Sequence, residues 1–198
     1  MMKKLYLIGF MMLTSIFSFA QTDEEVMNML TQAAASMQCM NCRFTQQKTM
    51  AMLEQPTVAE GLMSYNSPDK MRWEYTSPYS FALVVDGEKI TKITDGNEEI
   101  LDAKSGRMYQ GIVSIIMSSA TGKKLFDKST FDVAITDDGE FWKAEMKPKK
   151  HNMKRMFAML TFYFGKDNNV INKVEMTEAS GDVTLIQFYD MKINELCD

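Results

Sequence analysis

The sequence predicts a mainly β protein: one antiparallel sheet of about eleven strands, half closed and capped by a few lid helices. Three observations predict it. From Cys42 onward apolar residues recur at period two in short runs. Pro, Asp-Gly or Asn-containing turns separate those runs. One N-terminal stretch carries a helical period behind a start signal, Thr22-Asp23-Glu24-Glu25. A sheet this wide must curl or close to protect its edges, and beyond about eight strands a closed or nearly closed sheet leaves room inside for a ligand.

The first twenty residues are expected to be removed. Lys3 and Lys4 form a positive start, Leu5 to Phe17 is apolar but short for a span, and Ser18-Phe19-Ala20 is a small-x-Ala cleavage site. The expected product is a single domain, residues 21–198, exported and soluble. No cysteine follows the cut, so the leader does not read as a lipoprotein signal. The helix after Thr22 places Val26, Leu30, Ala33, Ala34 and Met37 on one narrow stripe, suited to lying across a sheet or barrel mouth. Strands are expected near 42–52, 57–65, 70–76, 81–86, 88–94 and 98–103. Gly111 to Gly122 lacks alternation and charge and reads as a short helix, either a lid or a buried connector. Strands resume near 130–136, 140–147, 157–165, 170–178 and 183–193, with Asp137-Asp138-Gly139, Asp167-Asn168-Asn169 and Ser180-Gly181-Asp182 as turns.

Alternation also assigns an inner face. Met71, Trp73 and Tyr75 fall on one side of their strand and Lys70, Arg72 and Glu74 on the other. The same logic turns Phe131, Val133 and Ile135, then Trp142, Ala144 and Met146, then Leu160, Phe162 and Phe164, then Val174 and Met176 inward. Methionine is abundant: of twenty in the chain, sixteen lie beyond residue 20, and Met63, Met71, Met108, Met117, Met146 and Met176 fall on inward positions. Its flexible, polarizable side chain suits either ordinary core filling or a surface that accepts varied apolar shapes.

No catalytic constellation is present. There is no Gly-x-Ser-x-Gly elbow, and the lone His151 supports neither a triad nor a histidine metal pair. Thr121-Gly122-Lys123-Lys124 lacks the earlier glycine and the final hydroxyl of a phosphate loop. An enzyme is not expected, nor a cofactor, nor a metal, for three cysteines and a distant histidine make a poor zinc site. The net charge of −4, or −6 without Lys3 and Lys4, argues against nucleic acid. Against that background Lys147, Lys149, Lys150, Lys154 and Arg155 form a basic run without an acid, read as a solvated loop or as a docking patch for an acidic partner or anionic headgroups. In an exported chain Cys39, Cys42 and Cys197 point to a structural disulfide, with Cys39–Cys42 or a link from either to Cys197 equally open. Cys39-Met40-Asn41-Cys42 ends a helix and starts a strand, whereas a thiol oxidoreductase motif opens a helix within a βαβ unit.

Residues 61–87 carry a resemblance. A strand, a Pro68 turn, an aromatic strand ending in Trp73-Glu74-Tyr75, a second proline at Pro78 and the apolar strand Leu83-Val84-Val85 into Asp86-Gly87 resemble the signature of LolA-type carriers of outer-membrane lipoproteins. Phe44-Thr45-Gln46 is similar to that family's first strand, and order and spacing agree from about residue 22 to about residue 100. The resemblance implies an incomplete barrel with helices as its lid, holding acyl chains in an apolar cavity. It implies as partners acylated lipoproteins, an inner-membrane ABC transporter as donor and an outer-membrane receptor as acceptor, in the periplasm and with the chain as a monomer. The expected cavity residues are Met63, Tyr65, Met71, Trp73, Tyr75, Leu83, Val85, Ile112, Ile116, Phe162 and Phe164. One position departs from the pattern: Ser67 precedes Pro68 where the family commonly places a lid-latching arginine, and Met71 stands where an aromatic is expected. Serine has no guanidinium fork, so the latch must differ. Other readings compatible with the same fold are a carrier of other lipids or glycolipids and an envelope-stress domain that senses lipoproteins.

Overall fold

A computed structural model describes residues 22–101, 125–195 and 197. The predicted Gly111–Gly122 helix, with Ile112, Ile116, Met108 and Met117, lies outside the described residues, as does the leader. The remainder is one eleven-stranded antiparallel sheet that does not close. Its strands are β1 (Cys39–Thr49), β2 (Thr57–Asn66), β3 (Lys70–Ser77), β4 (Phe81–Asp86), β5 (Lys89–Thr94), β6 (Asn97–Ile100), β7 (Phe131–Asp137), β8 (Phe141–Pro148), β9 (Phe157–Gly165), β10 (Ile171–Glu178) and β11 (Val183–Ile193). They are ordered β6-β5-β4-β3-β2-β1-β11-β10-β9-β8-β7, so two meanders meet where the last strand pairs with the first. Each hairpin connects neighbours, and only the β1–β11 pairing is distant in sequence.

Helix α1 (Asp23–Ala35) begins where the capping box predicts: Glu25 N–H donates to Thr22 Oγ1, and Thr22 N–H donates to Glu25 Oε2 at 2.9 Å. The chain leaves α1 for the central strand β1, yet the helix start reaches the far edge, where Ile135 N–H of β7 donates to Asp23 Oδ2 and Lys128 pairs with Glu24 at 2.8 Å. The helix therefore spans the concave side from the middle of the sheet to one edge. Its buried side chains are Val26, Met27, Leu30 and Ala34, with Met37 just beyond the end. Ala33, expected on that stripe, is only half-buried, and Met27 takes its place.

Two local differences from the expected elements have clear causes. β1 starts at Cys39 rather than near 42, because Met40 pairs with both Ile193 and Tyr65 and extends the ladder toward the helix. The Cys39–Cys42 motif thus lies wholly inside a strand. The basic run is not all loop: α2 (His151–Lys154) is a single helical turn between β8 and β9, entered at Lys150 with no side-chain cap. His151 itself is exposed.

Candidate functional site

The inner face is built by cross-strand rows, because the antiparallel register brings same-face residues opposite one another. One row runs Cys42, Met63, Trp73, Leu83 across β1 to β4. The next runs Met40, Tyr65, Met71, Val85, Ile90. A third runs Phe188, Phe44, Gly61, Tyr75, Phe81. The second meander adds Val174, Phe162, Ala144 and Ile135, with Ile171, Phe164 and Trp142 alongside. These rows and the α1 stripe form one hydrophobic cluster.

All nine described members of the expected set fall on this face. Met63, Tyr65, Met71, Trp73, Leu83, Val85, Phe162 and Phe164 are buried, and Tyr75 is half-buried at the rim. The Tyr75 hydroxyl donates to Gln46 Oε1 at 2.9 Å, and burial pushes its ionisation above the usual phenol range. Aromatic contacts order the first meander. Phe44 stacks on Trp73 with centroids 4.0 Å apart, Tyr75 meets Phe44 edge-on at 5.4 Å, and Phe188 meets Trp73 edge-on at 6.0 Å. Soft groups complete it: Cys42 Sγ lies 3.9 Å from Met63 Sδ. Phe126 packs on Phe164 at 5.9 Å in the second half.

Sequence reasoning left out Phe44, Phe188, Gly61 and Phe126 as members of this face. Phe44 carries a readable signal, being two residues beyond Cys42 on the same strand. Phe188 follows Thr184 and Ile186 at period two, although the neighbouring Leu185 and Tyr189 obscure the alternation. Gly61 and Phe126 give none, since their roles depend on partners from other strands.

A groove of about 510 Å³ flanks α1, between Met27, Asn28 and Thr31 on the helix and Leu125, Phe126 and Lys128 on the segment before β7. Its volume is in the usual range of small-molecule clefts. A smaller hollow of about 230 Å³, bordered by Asn41, Leu62, Ser64, Arg72 and Glu74, lies on the convex side.

The cysteines separate by role. Cys39 is bonded to Cys197, with Cα atoms 5.4 Å apart, and the chain end is further held by Asn194, whose side chain accepts from Gln38 N–H at 2.6 Å. Cys42 is free and buried on the inner face, where burial pushes its thiol up to about 12. Such a thiol is protonated at neutral pH and a poor nucleophile. With Cys39 bonded elsewhere, the pair is not a redox dithiol. Among the described residues no group of three metal-ligating side chains converges, and no helix is long and apolar enough to cross a membrane.

Comparison with known proteins agrees with this geometry. The sequence model of the family described as outer membrane lipoprotein carrier protein LolA matches residues 35–198. An outer-membrane lipoprotein carrier protein of Xanthomonas oryzae pv. oryzae is 30% identical over 154 residues, covering 77% of this chain and 70% of the relative. One from Methylobacillus flagellatus is 28% identical over 160 residues, covering 80% and 74%. Among solved structures, a crystal structure of MucB superposes with a TM-score of 0.54 at 9% identity, over 86% of this chain and 58% of that one. At that identity the likeness concerns the fold alone.

Proposed function

This chain belongs to the LolA family of outer membrane lipoprotein carrier proteins, and from that premise we propose that it escorts lipoprotein acyl chains across the periplasm on its concave face, with α1 as the displaceable cover. The leader at residues 1–20 exports it, and the domain that follows works as a monomer. An inner-membrane ABC transporter supplies the cargo and an outer-membrane receptor takes it.

The single observation that carries this reading is a continuous apolar face that α1 covers, with few polar ties among the described residues. A sixteen-carbon chain exposed to water costs roughly 11 kcal/mol at ~0.8 kcal/mol per methylene. The four larger apolar side chains of the cover, Val26, Met27, Leu30 and Met37, are buried and are together worth ~6–12 kcal/mol at ~1.5–3 kcal/mol each. Cargo and cover therefore compete on nearly equal terms. Binding exchanges one apolar surface for another, and release needs no nucleotide. The polar ties do not upset the balance, because the exposed Glu24–Lys128 pair is weak in water. The met-rich rows suit acyl chains of varied length and packing.

Depletion in the native cell, followed by fractionation of its membranes, tests the role. Lipoproteins held at the inner membrane support it, and unchanged sorting counts against it. Ser67 favours a second reading, a carrier of another acylated lipid, since that position lacks the arginine of the family latch. Mass spectrometry of co-purified ligand separates the two: acylated peptides support the first and peptide-free lipids the second. Recovery of a membrane regulator without a transporter in a pull-down instead favours a sensing role.

A further inference from the structure

One rim of the sheet gathers exposed apolar side chains beside exposed cations. Antiparallel neighbours place the β1–β2, β10–β11 and β8–β9 connections and the approach to β7 side by side along that rim. Hydrogen bonds stitch them in sequence: Ala51 N–H donates to Asp182 Oδ1 at 3.2 Å, Ala179 N–H to Met156 O at 3.0 Å, and Lys149 N–H to Thr130 O at 2.8 Å. On this rim Met52 is 96% exposed, Leu53 48% and Met156 39%. Beside Met156, the exposed Lys154 and Arg155 make no ion pair among the described residues, and the exposed Lys150 lies near enough to Asp127 to help hold its carboxyl ionised. Their neighbours Lys128 and Lys149 are held by Glu24 and Asp132. The turns at the opposite end carry Asp69, Glu88, Asp138, Glu140 and Asp167 alongside Lys166, and the apolar rim itself holds Glu54, Asp127 and Asp182.

A single exposed apolar side chain means little. Three on the two loops that flank the β10–β11 turn, beside Lys154 and Arg155, which have no ion pair among the described residues, in a chain of net charge −4, call for a partner that is both anionic and apolar. We propose that this rim is a membrane-contact face for anionic phospholipid. Met52, Leu53 and Met156 dip among the headgroups, and Lys150, Lys154 and Arg155 neutralise phosphates. A bilayer accepts separate apolar tips without a matching pocket for each, which a protein partner would have to supply. Lys150 also lines the groove beside α1, so docking brings that groove to the membrane. The contact is independent of what the concave face binds, and the two are tested separately.

The test is co-sedimentation of the chain from residue 21, free of cargo, with vesicles of phosphatidylcholine alone or mixed with phosphatidylglycerol. The wild type binds only the mixed vesicles, and binding falls as salt rises. The triple variant K150E/K154E/R155E binds more weakly by on the order of a hundredfold, from ~1 kcal/mol per cation. The variant M52N/L53N binds about tenfold more weakly, from lost apolar contact. Both sites are exposed, and circular dichroism checks that each variant stays folded. The proposal is overturned if the wild type ignores mixed vesicles or if the folded variants bind as it does. It is also overturned if only native inner-membrane vesicles bind and protease shaving abolishes that binding, which assigns the rim to an acidic protein.

Discussion

Phe44 lies flat against Trp73, with ring centroids 4.0 Å apart, in the space left by Gly61 opposite it on β2. A Cβ at Gly61 would sit 2.1 Å from the Glu74 carbonyl oxygen and 2.4 Å from Phe44 Cζ. The backbone of β3 cannot yield as a side-chain tip can. Gly61→Ala is therefore expected to lower stability by ~1–3 kcal/mol, the usual range for overpacking. Urea denaturation reads it as a lower midpoint at unchanged slope.

The cover helix makes a prediction of opposite signs for stability and binding. Leu30 is fully buried at the centre of the α1 stripe. Leu30→Ala should destabilise the free protein by ~2–5 kcal/mol. It should also tighten acyl binding, because cargo then displaces fewer contacts. A variant that is less stable and binds more weakly would instead make α1 part of the cargo site rather than its competitor. Isothermal titration with an acylated peptide, alongside thermal unfolding, gives both numbers.

The disulfide closes a span of 158 residues from β1 to the chain end. Loop-closure entropy for that length is about 5 kcal/mol at the upper limit, and observed losses are typically ~2–5 kcal/mol. Cys197→Ser should fall in that range, with a matching loss when the wild type is reduced. Cys42→Ala should leave acyl binding intact, as expected of a packing residue.

Cys42 also sets a pH dependence. Its thiol goes from an ordinary value of 9.0 to about 12 on burial, so the folded form holds its proton more tightly than the unfolded chain. The contribution to stability is fully present below the unfolded value and is lost as pH rises from about 9 toward about 12. Cys42→Ala removes that part of the alkaline decline, measurable by urea unfolding across the range. Iodoacetamide at neutral pH should label Cys42 only after unfolding.

Much of this architecture is legible in the sequence, because strand alternation and turn residues are local. The strand readings correspond to β1 to β11 with modest changes at their ends, and the Thr22 capping box sits where its spacing requires. Contacts made across the fold were not legible. Asn194 and Cys197 reach Cys39 only because β11 closes on β1, so spacing alone could not choose among three cysteines. Gly61 looks like any strand glycine until Phe44 is placed over it. Of the expected cavity set, Met63, Tyr65, Met71, Trp73, Tyr75, Leu83, Val85, Phe162 and Phe164 share a face because each follows its strand's parity. Phe188 escaped because flanking apolar residues blur the parity of β11.

The most direct test of the account uses Trp73 as a contact probe. In a Trp142→Phe variant Trp73 is the one remaining tryptophan, buried within the concave face. A lipopeptide with brominated acyl chains should quench its emission in proportion to occupancy, while the same peptide without acyl chains should leave it unchanged. Stoichiometric binding of the lipopeptide with no quenching of Trp73 would contradict the claim that acyl chains lie on this face.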